Sequence, residues 1–320
     1  MVKKKFRLFK HIVINTKFFG IRYLIFNIPY QLLKFISKNK FSAGGEDKIR
    51  EVNFYKMLLK DTETGIHSDL IREGKREPFA TDILTKDTQP GEVILEIGAN
   101  IGYYTILQSK KIGPKGQIYA IEPEKENFEY LKKNVKLNKL NNVTLFKQAI
   151  GDKNGELEIY AYEQGNLNSP FKWDDNYKGK EKVKEQTIDT FLEGKKDPNW
   201  IRMDVEGYEY NILIGAKKTL RNKNLKRMFI EFHFGMVEKQ NMVDLLKMIR
   251  DSGFEIEYAI VEDKAISECL GRFSKLKKFF YKNRRKYAVL KNLKIDNILK
   301  RDDILDGHIG AFEIFLKRKD

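Results

Sequence analysis

Three features of this chain predict an open α/β sheet, mostly parallel and of Rossmann type. The first is the apolar run Val93, Ile94, Leu95, which passes through Glu96 and Ile97 into a turn holding Gly98, Asn100 and Gly102. A buried strand, a glycine turn and a helix in succession make a nucleotide-sized crevice at the carboxyl edge of such a sheet. The second is alternation: strand patterns at 93–97, 117–122, 143–148, 200–204 and 227–232 are separated by helical patterns at 103–112, 125–138, 208–221 and 237–252. Alternation of that kind implies parallel strands joined by right-handed crossovers. The third is length, since 320 residues suffice for one large α/β domain with extensions.

The remaining elements follow in chain order. Residues 6–41 read as an amphipathic helix broken near Pro29, and Gly44 with Gly45 marks a linker. Residues 47–60 read as a helix, and 77–87 as the helix that enters the main domain. Short extra strands are expected at 156–162 and 182–186, and two final strands at 254–261 and 311–316. Between those last two lies a long insertion, 262–310, read as basic and helical, with Arg272, Lys275, Lys277, Lys278, Lys282, Arg284, Arg285 and Lys286. The expected division is a basic N-terminal extension over 1–45 and a domain over 46–320. That domain comprises a core at 78–261, the insertion at 262–310 and a last strand at 311–317.

Charge is unevenly spread. The net charge is +16, yet residues 1–40 carry ten Lys or Arg and no acid, and residues 271–320 carry fifteen against six acids. The middle, with 36 basic and 39 acidic residues, is close to neutral. A basic nucleic-acid groove across the catalytic face is therefore disfavoured, and the terminal segments are expected to meet an anionic partner such as a membrane surface. In residues 1–41 the side chains Phe6, Phe9, Ile12, Phe18 and Phe19 are interleaved with Arg7, Lys10, Lys17 and Arg22, the composition of a helix lying among lipid headgroups. No spanning helix is expected there, because the longest uncharged stretch, Tyr23 to Leu33, has 11 residues against the roughly 20 a bilayer requires. A single cysteine, Cys269, excludes an internal disulfide and a cysteine-rich metal site, so the expected home is the cytoplasm, at the inner face of the membrane.

The turn after the first core strand selects the ligand. It lacks the third glycine of a dinucleotide fingerprint and the Gly-Lys-Ser/Thr of a triphosphate loop. Glu96 heads it instead, suited to an ammonium or sulfonium, and the second strand ends in Glu122, placed to accept hydrogen bonds from two ribose hydroxyls. With a third strand ending at Gln148 and Ala149, these residues describe a site for S-adenosyl-L-methionine. A dehydrogenase would share the fold but not this turn.

Further motifs narrow the reading. The turn Glu96 to Gly102 with Tyr103, Tyr104 and Thr105 is followed by Ala149, Ile150, Gly151, Asp152, by the run Thr187 to Leu192, by Met203, Asp204, Val205, Glu206, Gly207, Tyr208, Glu209, and by Ile230, Glu231, Phe232, His233. In these motifs, over residues 78–261, the chain resembles the FkbM-type methyltransferases. The resemblance implies a class I methyltransferase fold with its last strand antiparallel. It also implies S-adenosylmethionine as methyl donor and a hydroxyl of a sugar, glycan, glycolipid or related metabolite as acceptor. The family's first acid is more often Asp than the Glu96 found here. Under this reading the cofactor residues are Glu96, Gly98, Asn100, Gly102, Tyr103, Glu122, Gln148, Ala149 and Asp204.

Methyl transfer to a hydroxyl needs the oxygen in line with the methyl–sulfur bond and removal of its proton. Four polar residues follow strands four and five: Asp204 and Glu206, then Glu231 and His233. His233 is the expected base, because an imidazole takes a proton near neutral pH, with Glu206 or Asp204 orienting it or serving in its place. The same four side chains resemble an oxygen-rich site for a divalent metal that would acidify the acceptor, a reading the sequence favours less. Asn168 and Ser169, in a polar loop, are expected acceptor contacts. An RNA methyltransferase using the basic extensions is the alternative. Against it, strand four lacks an Asn-Pro-Pro-Tyr turn and no aromatic stacking platform surrounds the site.

Overall fold

The computed structural model describes residues 46–61, 65–162, 168–172, 175, 177–262, 280–282, 286–291, 293–308 and 310–319. The chain begins there with a hairpin, β1 (Asp47–Val52) and β2 (Tyr55–Lys60), followed by α1 (Gly65–Glu73) and α2 (Pro78–Asp87). The core then alternates β3 (Val93–Ile97), α3 (Tyr103–Ile112), β4 (Gln117–Ile121), α4 (Lys125–Leu137) and β5 (Val143–Phe146). A small excursion follows, β6 (Ala149–Ile150), β7 (Gly155–Tyr162) and β8 (Tyr177–Gln186), ending in the short α5 (Ile188–Phe191). The core resumes with β9 (Trp200–Met203), α6 (Glu209–Ile214), α7 (Lys217–Arg221), β10 (Arg227–Phe232), α8 (Lys239–Asp251) and β11 (Phe254–Glu262). Last come β12 (Phe280–Lys282), β13 (Lys286–Lys291), α9 (Ile295–Ile298), α10 (Asp302–Leu305) and β14 (Phe312–Arg318).

Nine strands form the central sheet in the order β12-β13-β11-β14-β10-β9-β3-β4-β5. From β10 to β5 the pairs are parallel, whereas β14 runs antiparallel between β10 and β11. This is the expected α/β class, with the last strand reversed. The parallel strands are buried on both faces, as their near-continuous apolar runs require. Along β3 the side chains alternate. Val93, Leu95 and Ile97 join the core under α6 and α8, while Ile94 joins the core under α2 and α3.

Two expectations are corrected. Residues 47–60 form the β1–β2 hairpin and not a helix, because Asn53 and Phe54 both adopt positive φ (48° and 70°) and close a two-residue turn whose twist suits paired strands. Its buried face, Val52, Met57 and Leu59, alternates with exposed positions and packs into the α2/α3 core. Among its described residues, the insertion is helical only at α9 and α10. Residues 280–282 and 286–291 are strands that lengthen the sheet beyond β11. The helix expected over 6–41, and residues 263–279 of the insertion, lie outside the described residues. No helix among the described residues is long and apolar enough to cross a membrane.

Candidate active site

A crevice of about 640 Å³ opens at the carboxyl ends of β3, β4 and β9. One side is the turn after β3. Gly98 has φ +77°, and a Cβ there would fall 2.1 Å from the backbone oxygen of Asp204, so only glycine lets the loop after β9 approach this closely. Gly98 and Ala99 donate their backbone N–H groups to the Ile121 carbonyl, at 3.0 and 2.9 Å, which locks the turn onto β4. Asn100, also at positive φ, donates its N–H to Glu122 Oε2 at 2.8 Å.

Glu122 is 5% exposed and lines the crevice with Gly98, Asn100, Gln148 and Ala149. Its Oε1 accepts from the Glu124 N–H at 3.1 Å, and the Asn127 side chain also donates to this carboxylate. Burial pushes its pKa up to about 8, against the lowering effect of these three donors. Gln148 is held by a 3.2 Å bond to the Gln186 side chain. The far wall comes from the three-stranded sheet β6-β8-β7, through Leu157, Ile159 and Asn168. Asn168 Oδ1 accepts from the Tyr162 N–H at 2.8 Å.

Not every expected residue faces the crevice. Glu96 sits on the opposite face of β3, fully buried, accepting from Thr105 Oγ1 at 2.6 Å and facing Arg202 Nη1 at 3.3 Å. The strand's period of two dictates this, since Glu96 shares a face with Ile94 and with Arg202, its register partner on β9. It therefore holds the strand tips together from behind. Gly102 turns toward Leu131, and the Tyr103 hydroxyl pairs with Thr81 Oγ1 at 3.0 Å, so both build the turn from outside. Ser169 is buried behind the wall and donates to the Glu206 carbonyl at 3.1 Å.

Asp204 and Glu206 line the crevice after β9, and β10 brings Glu231 and His233 beside them. Glu206 and Gly207 take consecutive left-handed conformations, φ 48° and 92°. For Glu206 this is an unfavourable backbone, and it aims the carboxylate at Nε2 of His233, 3.3 Å away. Nδ1 of His233 donates to Glu209 Oε1 at 2.6 Å, and Glu231 Oε1 lies 3.8 Å from Nε2. Burial opposes the charged imidazole, but Glu209 and Glu206 outweigh it and raise the pKa well above the ordinary histidine value. Burial raises the pKa of both Glu206 and Glu231.

Sequence reasoning passed over the groups that hold this cluster. Arg202 stacks 4.2 Å over the Tyr104 ring and approaches Asp204 Oδ2 at 3.4 Å; Arg76 Nη2 reaches the same oxygen at 3.8 Å. Glu209, fully buried, also accepts from the Gly207 N–H at 3.1 Å. A charged residue inside the strand Trp200, Ile201, Arg202, Met203 is the one signal that could have revealed the first of these.

A strand-end carboxylate, a glycine turn and a carboxylate–imidazole cluster on neighbouring strands meet in one crevice. Residues 96–256, half of the chain, match the family model described as the methyltransferase FkbM domain. The chain belongs to this family. FkbM methyltransferases draw the methyl group from S-adenosylmethionine, which is therefore the cofactor of this one. Among curated proteins it is 22% identical over 189 residues to the hexuronic acid methyltransferase AglP of Haloferax volcanii, covering 58% of this chain and 73% of that one. It is 42% identical over 73 residues to a tRNA(Phe) (4-demethylwyosine(37)-C(7)) aminocarboxypropyltransferase of Methanocaldococcus jannaschii, covering 23% of this chain and 26% of that protein's length. Among solved structures, M. jannaschii TYW2 in complex with AdoMet matches at TM-score 0.40 and 17% identity, over 87% of this chain and 89% of that one. A SAM-dependent O-methyltransferase from Thermotoga maritima matches at TM-score 0.41 and 13% identity, over 85% and 78%.

Proposed function

We propose that this FkbM methyltransferase is an O-methyltransferase that acts on a hydroxyl of a sugar, glycan or glycolipid. The observation that carries the reading is the placement of Asp204, Glu206, Glu231 and His233 beside the cofactor crevice, a ground rich in hydrogen-bond acceptors that suits a polyhydroxylated acceptor. AglP, whose name records a hexuronic acid as its substrate, supports the same class.

In this reading Glu122 accepts from the ribose hydroxyls, while Gly98, Asn100, Gln148 and Ala149 shape the rest of the cofactor's bed. The acceptor hydroxyl enters beside Asp204 and Glu206, with Asn168 on the facing wall. Both ring nitrogens of His233 are engaged by carboxylates, Nδ1 by Glu209 and Nε2 by Glu206. The proton of the acceptor accordingly passes to a carboxylate, Glu206 or Glu231, and His233 is the group that positions Glu206. The oxygen's electron pair then forms the bond to the methyl carbon as the carbon–sulfur pair returns to sulfur. The products are a methyl ether and S-adenosylhomocysteine.

The test is incubation of the full chain with methyl-labelled S-adenosylmethionine and panels of hexoses, hexuronic acids, lipid-linked saccharides and RNA. Alkali-stable label on a saccharide, assigned to a methyl ether by mass spectrometry, supports the reading. Label on RNA alone, or an alkali-labile methyl ester, overturns it. The basic segments 1–41 and 262–310 are proposed to bring the enzyme to an anionic membrane surface carrying a lipid-linked acceptor.

A further inference from the structure

We infer that Asp204, Glu206 and His233 form a binding site for one divalent metal ion; the inference deepens the proposed function and rests on it. One ligand atom from each of the three residues can be chosen so that all lie within 4.8 Å of one another. The 3.3 Å between His233 Nε2 and Glu206 Oε2 matches two ligands of one ion with bonds of about 2.0 to 2.3 Å. A set with two carboxylates and one imidazole suits an oxygen-preferring ion such as Mn²⁺.

The surroundings supply independent support. His233 is turned by a residue outside the ligand set. Fully buried Glu209 accepts a hydrogen bond from Nδ1, which turns Nε2 toward the two acids, the arrangement by which carboxylates orient metal-binding histidines. Charge is also left over. Glu77, Glu96, Asp204, Glu206, Glu209, Glu231 and Glu313 gather around this end of the sheet. Among the described residues they face the guanidinium groups of Arg76 and Arg202 and the imidazole of His233. Glu231 and Glu313 are direct partners across the antiparallel β10–β14 pair, a placement that is repulsive when both are ionised. Glu313 is 8% exposed, and its Oε2 is buried without a hydrogen-bond partner. Buried like charges this close are costly, and a bound cation relieves them. Both arginines approach Asp204 through Oδ2, which leaves Oδ1 for an ion.

A cation here touches the acceptor hydroxyl beside the cofactor crevice and weakens its O–H bond. The proton passes to Glu231, the oxygen attacks the methyl carbon, and the carbon–sulfur electron pair returns to sulfur, so charge and atoms balance without an added oxidant or reductant.

The experiment is Mn²⁺ titration of the full chain, followed by loss of the free-ion electron paramagnetic resonance signal and by calorimetry. We expect one ion per chain, bound at least tenfold more weakly in Glu206→Gln and in Glu209→Gln. In the wild-type protein, pulsed spectroscopy of the bound ion should show coupling to one imidazole nitrogen, a readout that needs no variant to fold. No stoichiometric ion, a bound ion without nitrogen coupling, or affinity indifferent to both substitutions overturns the inference. Glu122→Ala separates the two readings. Mn²⁺ binding with S-adenosylhomocysteine binding lost supports the metal site on its own, whereas a wild-type chain that methylates saccharides but binds no ion sinks the metal and leaves the function standing.

Discussion

Glu122 links the cofactor site to pH. Its folded pKa of about 8 lies above the ordinary value of 4.5, so its contribution to stability is complete below about 4.5 and is lost as pH rises toward 8. The slope is roughly 1.4 kcal/mol per pH unit across that window. Glu122→Gln should remove the slope and raise the thermal midpoint of the cofactor-free protein at pH 9. S-adenosylmethionine favours the ionised carboxylate, so wild-type affinity should rise up to about tenfold per unit from pH 6 to 8 and then level off, while the variant stays flat. Calorimetry giving the same slope in both would remove Glu122 from the ribose contact. Gly98→Ala should cost more than the 1 kcal/mol or so of an ordinary glycine replacement, because the new methyl meets the Asp204 carbonyl at 2.1 Å. Thermal unfolding and cofactor calorimetry should both register a loss. At this scale Glu122 and Gly98 were legible in the sequence, since a strand end and a glycine turn fix where they point. Glu96 was legible as an acid of the turn but not in its direction, which depends on a partner 106 positions away, Arg202. Nor was Glu209 legible, because its tie to His233 spans two elements.

At the scale of elements, the β1–β2 hairpin is fastened to α4 by several side chains, Glu126 to Lys60, Tyr130 and Lys133 to Asp47, and most deeply by Asn134. Asn134, fully buried, accepts from the Leu58 N–H through Oδ1 at 2.6 Å and donates through Nδ2 to the Ile101 carbonyl at 2.9 Å. The second of these bonds ties the same residue to the loop that ends the cofactor turn. Replacing Asn134 by Leu leaves two buried backbone groups without partners and should destabilise the protein by about 2 to 4 kcal/mol. Denaturant unfolding that shows less than 1 kcal/mol would mean the hairpin is held mainly by Val52, Met57 and Leu59. The hairpin also shows why the sequence misled. A 14-residue stretch of mixed apolar and charged residues satisfies either period, and the decision fell to Asn53 and Phe54, where a phenylalanine in the left-handed region is not a recognisable turn signal. The core strands and helices were legible because their apolar runs are long and separated by glycine, and the split of 208–221 into α6 and α7 was not.

For the whole molecule, the segregation of charge sets how it meets surfaces. If the ten lysines and arginines before residue 41 act at an anionic leaflet, each contributes about 1 kcal/mol, screened within a Debye length of about 8 Å at physiological salt. Vesicle co-sedimentation should therefore be strong with anionic lipid at low salt, weak at high salt, and reduced by removal of residues 1–41. Equal binding to neutral and anionic vesicles would count against this. The far wall of the crevice has a different consequence. It belongs to its own three-stranded sheet, joined to the catalytic strands through contacts such as Ser169 with the Glu206 carbonyl and Tyr208 with Glu185. Part of the crevice lining thus stands on a sheet outside the catalytic strands. A designer, or selection acting over generations, has there a place to reshape the crevice without rebuilding the central sheet.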